Sequence, residues 1–337
     1  MTVIKPKKKP LMIKTFLIVL LCFISLPGCY LLEQTSGQLD LRFNQIKIDK
    51  AIQQEENANI KNQLREVPSV KQFAEKNLHL QKTENYTGYY HTDQVGITFV
   101  VTASPKDKLE PYTWWFPIIG RVPYKGFFDK ADALKLEKEL QSEGFDTWLF
   151  AAPTYSSIGW FKDPITTPML KKGLYYLIDT IIHEMVHVTL YVNDQGDFNE
   201  QLAVFVAHKG AFEYLKTKTD GDLIIKKEIQ HRRNRFLLHE TLQIYLKQLE
   251  ELYSGDQSIT TILQKRAEIF KNITTAILKI FPHSKSKNWQ FNNARLLQLR
   301  RYQQESPLLK EIWEKSNNNW ENFWDHINSY IKQQKWD

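Results

Sequence analysis

The stretch Tyr175-Tyr176-Leu177-Ile178-Asp179-Thr180-Ile181-Ile182-His183-Glu184-Met185-Val186-His187 decides how this chain is read. Its apolar residues predict a buried helix, and it ends in the pattern H-E-x-x-H. Residues four apart on a helix share a face, so His183 and His187 can present two imidazole nitrogens to one metal ion. Glu184 stands beside them as a base for water activated at that metal. Phe198-Asn199-Glu200 follows a short way downstream, and Glu200 is the candidate third ligand. Two His and one carboxylate with a fourth position open is the donor set of a catalytic zinc, one ion per chain. Structural zinc is closed by four protein ligands.

The surroundings support that reading. Val186, Val188, Leu190 and Val192 extend the apolar character past the motif. Polar groups on a buried helix cost free energy unless satisfied, and a metal satisfies them. The competing reading is a surface helix with incidental histidines.

The chain has 337 residues and a formal net charge of +7. Its first 29 residues carry five lysines and no acid, which leaves a net +2 on the rest. That remainder divides into −4 over 30–220 and +6 over 221–337. A solvated helical face accounts for the C-terminal excess, and the near-neutral remainder argues against nucleic-acid binding. Lys5, Lys7, Lys8, Lys9 and Lys14 form a positive region ahead of a short apolar run, Thr15 to Leu26, too short to span a bilayer comfortably. The run ends at Leu26-Pro27-Gly28-Cys29, which resembles a bacterial lipobox. That resemblance implies cleavage before Cys29 and lipid on its thiol. Cys22 is removed with the leader, so no disulfide is expected. Tyr30 stands where an inner-membrane retention Asp would, which directs the expectation to the outer membrane, facing the periplasm.

The expected organisation is a leader (1–28), an N-terminal helical segment (29–84), a small sheet with the metal helices (85–220) and a C-terminal helical region (221–337). In 30–80 the apolar spacing predicts two or three helices, with Ser69 as N-cap of the last. Strands are predicted at Tyr86–Tyr90, Ile97–Val101 and Phe145–Ala151, and a helix at Asp129–Ser142. Together they suggest one small sheet with a crossing helix. Tyr112–Tyr124 is aromatic and broken by Pro and Gly, hence loop-like with at most a short strand. Ser157–Pro168 is a loop. The metal helix is expected at about 172–192, then a turn at 193–197, then a helix at about 199–217 capped by Asn199 or Asp197. Further helices are predicted at Leu223–Tyr253, Ile259–Phe281, 291–304 and near 318–334. In the first, Ile229, Phe236, Leu237, Leu242, Tyr245, Leu246 and Leu249 form the apolar stripe. The fold class is α+β, predominantly α-helical, with a zincin-like metal helix pair, a small β-sheet and a C-terminal helical bundle.

Several stretches resemble the family of predicted bacterial zinc aminopeptidases, many of them lipoproteins. They are Ser36-Gly37-Gln38-Leu39, Phe116 to Gly120, Val122 to Asp129, Ala152 to Pro164, His183 to His187, Phe198 to Glu200, and Asn292-Asn293-Ala294 with Tyr302. The resemblance implies a gluzincin-type metallopeptidase with zinc on His183, His187 and Glu200 and Glu184 as base. Two departures stand out. Trp115 and Arg121 replace cysteines common in the family, so a disulfide implied there is lost. Ala207 stands where an acid is common.

The implied reaction is peptide-bond hydrolysis at a zinc-activated water, with Glu184 moving the proton. Tyr155, Tyr191 and His208 are candidates for the oxyanion donor, Tyr155 first because its loop precedes the metal helix. A packing tyrosine is the competing role for Tyr155, and a core histidine for His208. Asp163, Asp179 and Asp197 are available to bind a substrate amine, although each suits a turn or cap. His231, His239 and His283 lack partners at ligand spacing and read as surface residues. The expected partners are a peptide or protein substrate and the membrane. The alternative is an envelope metal-binding lipoprotein scaffold or assembly factor without peptidase activity. Retention of Glu184 argues against it, because a scaffold needs ligands but no base.

Overall fold

The computed structural model describes residues 28–116, 120–154, 162–282, 290–300 and 306–336. Chain order is α1 (Gly28–Phe43), β1 (Ile46–Lys47), α2 (Ile48–Gln54), α3 (Ala58–Asn77), β2 (Gly88–Tyr90), β3 (Thr98–Ser104), β4 (Trp114–Phe116), β5 (Gly120–Val122), β6 (Lys125–Phe127), α4 (Lys130–Ser142), β7 (Asp146–Ala152) and β8 (Ile165–Thr166). Helices complete it: α5 (Thr167–Lys171), α6 (Leu174–Thr189), α7 (Gly196–Leu215), α8 (Gly221–Ser254), α9 (Ile259–Ile280), α10 (Asn293–Arg300), α11 (Pro307–Lys315) and α12 (Trp320–Gln334). The fold is α+β and predominantly helical, as the sequence predicts.

The main core forms around α6 and α7. Leu177, Ile178, Ile181, Ile182, Met185 and Val186 bury one side of α6. Leu64, Val67, Val70 and Ala74 of α3 pack on the same core, as do Phe205, Ala207 and Ala211 of α7. Ala207 has no exposed surface, so an acid at this position would need a buried partner. Gly210 allows α7 close in: a Cβ there would lie 2.4 Å from Leu78 Cδ1 and 3.2 Å from Ile182 Cδ1.

α3 corrects one expectation. Asn57, not Ser69, is the N-cap, accepting from the N–H groups of Asn59 and Ile60. The helix then runs through Pro68 and Ser69. An interior proline costs about 3 kcal/mol. Burial of Leu64, Val67, Val70 and Ala74 on both sides of it offsets that cost.

The strands form two sheets and a hairpin, where one sheet was expected. In the first sheet β2 joins antiparallel β1 to parallel β8. β8 lies within Ser157–Pro168, which the sequence alone reads as loop. In the second, β3 is central between β6 and β7, both antiparallel, with Val100 opposite Gly126 and Phe150. α4 covers this sheet through Ala133 and Leu140. β4 and β5 pair as a hairpin in the segment expected to be mostly loop. Trp115 and Arg121 are direct partners across it, so the two positions at which the family resemblance implies cysteines are neighbours here.

The C-terminal helices divide between two cores. α11, absent from the sequence reading, and α12 join the main core through Trp313, Trp320, Phe323 and Trp324. The indole of Trp324 donates to the carbonyl of Leu78 at 2.8 Å. α8, α9 and α10 enclose their own cluster around Leu242, Leu246, Leu249, Ile273 and Ile277. The expected stripe of α8 is therefore correct only in its second half: Ile229, Phe236 and Leu237 face solvent. His239 is half-buried and bonded to Gln243 at 3.2 Å, not a surface residue, whereas His231 is exposed beside Glu228. His283 lies outside the described residues.

Candidate metal centre

α6 begins at Gly173, whose φ of 99° suits glycine, and ends before an extended Leu190. The connection to α7 is short, with Asp194 in the left-handed region at φ 60°. The two helices therefore return antiparallel to one another, and α7 starts at Gly196, earlier than expected. Neither Asn199 nor Asp197 is its cap, since both lie within its first turn.

Asn199 has a different task. Its side chain is 1% exposed. Its Oδ1 accepts from the N–H of Val192 at 2.9 Å, and its Nδ2 donates to the carbonyl of Val192 at 2.7 Å. This pair of bonds clamps the connection to α7. The next residue is Glu200, so the clamp fixes the carboxylate against the end of α6.

His183, His187 and Glu200 converge as the motif predicts. The two Nε2 atoms are 3.1 Å apart. Glu200 Oε2 lies 3.5 Å from His183 Nε2, and Oε1 lies 3.3 Å from His187 Nε2. Ligands at zinc distances and tetrahedral angles stand about 3.3–3.5 Å apart, so the three donors fit a zinc ion and could hold one. His187 Nδ1 is buried without a hydrogen-bond partner among the described residues, which leaves Nε2 as its working atom.

Charge accumulates here. The His183 and His187 hydrogen bonds hold the Glu200 carboxyl well below the usual carboxylate range. Burial pulls His183 down, but the Glu200 hydrogen bond and the charges of Glu184 and Glu200 outweigh it, so its pKa is raised. In the metal-free protein a depressed Glu200 contributes stability above its unfolded pKa of about 4.3, lost as pH falls through the folded value. A raised His183 contributes stability below about pH 6.5, lost as pH rises through its folded value. The metal-free protein should therefore melt higher at about pH 5.5 than at about pH 8, and Glu200→Gln should shrink that gap. Zinc should reverse the order, because ligation needs neutral imidazole. Thermal melts of metal-free protein that are flat or rising across this window would remove the pair as its cause.

Behind the three ligands runs a polar seam. Tyr175, Asp179, His183 and His187 recur every four residues along α6. Asp179 Oδ1 accepts from the Tyr175 hydroxyl at 2.9 Å and lies 3.8 Å from His208 Nε2 on α7. Arg232 of α8 donates to the Tyr175 hydroxyl, stacks over Tyr175 and Phe212, and bonds Glu228 at 3.2 Å. Asp179 and His208 thus face each other across the seam. Asp179 is already a candidate from sequence, the repeat of four could have revealed Tyr175, and nothing local announces Arg232.

Glu184 is half-buried next to this centre. Tyr86 and Tyr176 feel its charge. Burial first, then Glu184 and Asp163, push Tyr86 well up. Burial first also raises Tyr176, against hydrogen bonds to Thr180 and Thr154, with Asp179 and Glu184 adding to the rise. Both phenols stay protonated near neutrality, a feature the sequence reading missed. Tyr191 is exposed with its ring 6.2 Å from that of His187. Tyr155 lies outside the described residues. Asp197 is exposed one turn before Glu200, and the carbonyl of Asp163 accepts from the N–H of Tyr86.

Comparison with curated proteins finds no match, and neither does comparison with solved structures. A family model does match: the one described as Putative aminopeptidase aligns with residues 29–336, from the cysteine of the lipobox-like segment to the end of the helices. The span includes α6 and α7 with all three converging donors, and the chain belongs to this family.

Proposed function

We propose that the protein is a zinc metallopeptidase that removes residues from the amino ends of peptides. The observation that carries this is the convergence of His183, His187 and Glu200 at tetrahedral spacing with Glu184 adjacent, in a chain of an aminopeptidase-type family. A zinc ion held by those three residues would supply Lewis acidity and lower the pKa of a coordinated water toward about 7.

The chain's own residues supply the rest. Glu184 follows His183 on α6, where its carboxylate takes a proton from the attacking water and returns it to the leaving amine nitrogen. The Asn199 clamp and the packing of α7 on α6 keep the Glu200 carboxylate in line with the two imidazoles. Tyr155, ahead of α6 in the chain, would donate to a developing oxyanion, with Tyr191, whose ring is 6.2 Å from that of His187, as the other candidate. Lipid on Cys29 would hold the enzyme at the outer membrane, facing the periplasm. This localisation follows from the leader and lipobox-like sequence.

Purified protein titrated with zinc should bind one ion per chain and cleave free-amine peptides in preference to their N-acetylated forms. A chelator should abolish the activity and zinc restore it. One zinc bound with no cleavage across a peptide library would favour the scaffold reading. Equal cleavage of acetylated peptides would make it an endopeptidase.

A further inference from the structure

Helix α8 buries one side, through Glu228, Leu242, Leu246 and Leu249. Its opposite side presents Ile229 (54% exposed), Phe236 (45%), Leu237 (42%) and Ile244 (61%) to solvent. Ile229 and Phe236 stand seven residues apart, as do Leu237 and Ile244, so the four share one stripe about 22 Å long. A single exposed apolar side chain is ordinary on a protein surface, whereas a continuous stripe marks an interaction site.

The order of residues along this stripe is nearly the same read from either end. About the midpoint between Phe236 and Leu237, Ile229 mirrors Ile244 and Lys226 mirrors Lys247. Arg233 mirrors Glu240, and these two are of opposite charge. All six of these mirrored residues are exposed. When two identical helices run antiparallel about a twofold axis at that midpoint, each residue faces its mirror residue on the other copy. Ile229 then meets the partner's Ile244, Phe236 meets the partner's Leu237, and Arg233 meets the partner's Glu240, each contact occurring twice. Lys226 and the partner's Lys247 are a like-charge pair at the ends. Each has an acid one turn outward on its own helix, Asp222 and Glu251, so each end of the contact is neutral. Beyond Lys226 and Lys247 the apolar match stops, because Leu223 would face Glu250.

We propose that this side of α8 joins two copies of the chain, paired antiparallel about a twofold axis between Phe236 and Leu237. The charges select a second copy as the occupant. An acid and a base at mirrored positions make the face complementary to itself, whereas a wholly acidic or wholly basic partner would set like charges together. Eight half-exposed apolar side chains along one helix pair form a small contact, at or below about 1,200 Å², where association is weak and depends on concentration. None of these residues belongs to the metal centre, so the pairing stands apart from the peptidase reading.

The test is sedimentation equilibrium of the full-length protein in a density-matched detergent. Dimer should dominate at about 100 μM and monomer at about 1 μM. Arg233→Glu sets two acids against each other at both symmetry-related places, and should raise the dimer dissociation constant about tenfold or more. Glu240→Arg should do the same. The two substitutions together restore opposite charges and should return the constant to within about threefold of wild type. Both side chains are exposed, so all three variants should melt with the wild type. A chain that stays monomeric at about 100 μM overturns the proposal. So does a dimer indifferent to the single reversals, which would mark shared micelles or contact through another face. Single reversals that weaken the dimer without rescue by the pair overturn the antiparallel register.

Discussion

Glu184→Gln will keep its zinc and lose hydrolysis. The substitution is nearly isosteric and removes only the ability to accept a proton. General-base contributions are worth about 10²- to 10⁴-fold, so the rate on any peptide substrate should fall by that factor. Zinc content should stay at the wild-type value, because Glu184 is not among the three converging donors. Glu200→Ala is the informative contrast, since it should lose metal and activity together. Metal analysis beside initial rates separates the two cases. A Glu184→Gln protein that loses zinc would place Glu184 in the ligand set, and one that retains full activity would remove it from the chemistry.

The residues of that prediction were legible because a helix converts sequence spacing into spatial proximity. His183 and His187 are four apart, and a short connection returns Glu200 to them. The same regularity made α9 and α12 readable to within a residue or two. It failed where contacts are set by distant partners. β8 is only two residues long, and it is a strand because β2, far upstream, offers it a parallel edge. The first half of α8 has an apolar stripe that local periodicity assigns to a core, yet among the described residues Ile229, Phe236 and Leu237 are exposed there. Arg232 reaches Tyr175 from 57 residues away. Ser69 suits an N-cap locally, yet tertiary burial carries α3 straight through Pro68 and Ser69. Gly210 shows the reverse: the close approach that it permits of α7 to the end of α3 and to α6 is invisible until Leu78 and Ile182 are seen beside it.

Asn199 tests whether the centre depends on its connection as well as its ligands. From sequence it could only be a cap or a conspicuous neighbour of Glu200. In the structure it satisfies both backbone groups of Val192, itself 4% exposed. Asn199→Ala would leave the buried N–H of Val192 unpaired, at about 1–3 kcal/mol, while its carbonyl would keep only the 3.3 Å bond from the N–H of Gln195. The metal-free protein should therefore lose about 1–3 kcal/mol. A freed connection also releases the first turn of α7, so Glu200 would no longer be held opposite His183 and His187. Outer-shell substitutions of this kind weaken metal binding about 10- to 100-fold, and a competition titration against a zinc chelator measures that. Asn199→Asp separates the two effects. It keeps an acceptor for the Val192 N–H, loses the donor to the carbonyl and buries a charge, so it should remain destabilised. If Asn199→Ala melts with the wild type and binds zinc as tightly, the clamp is incidental. Glu200 would then be positioned by the packing of α7 on α6 alone.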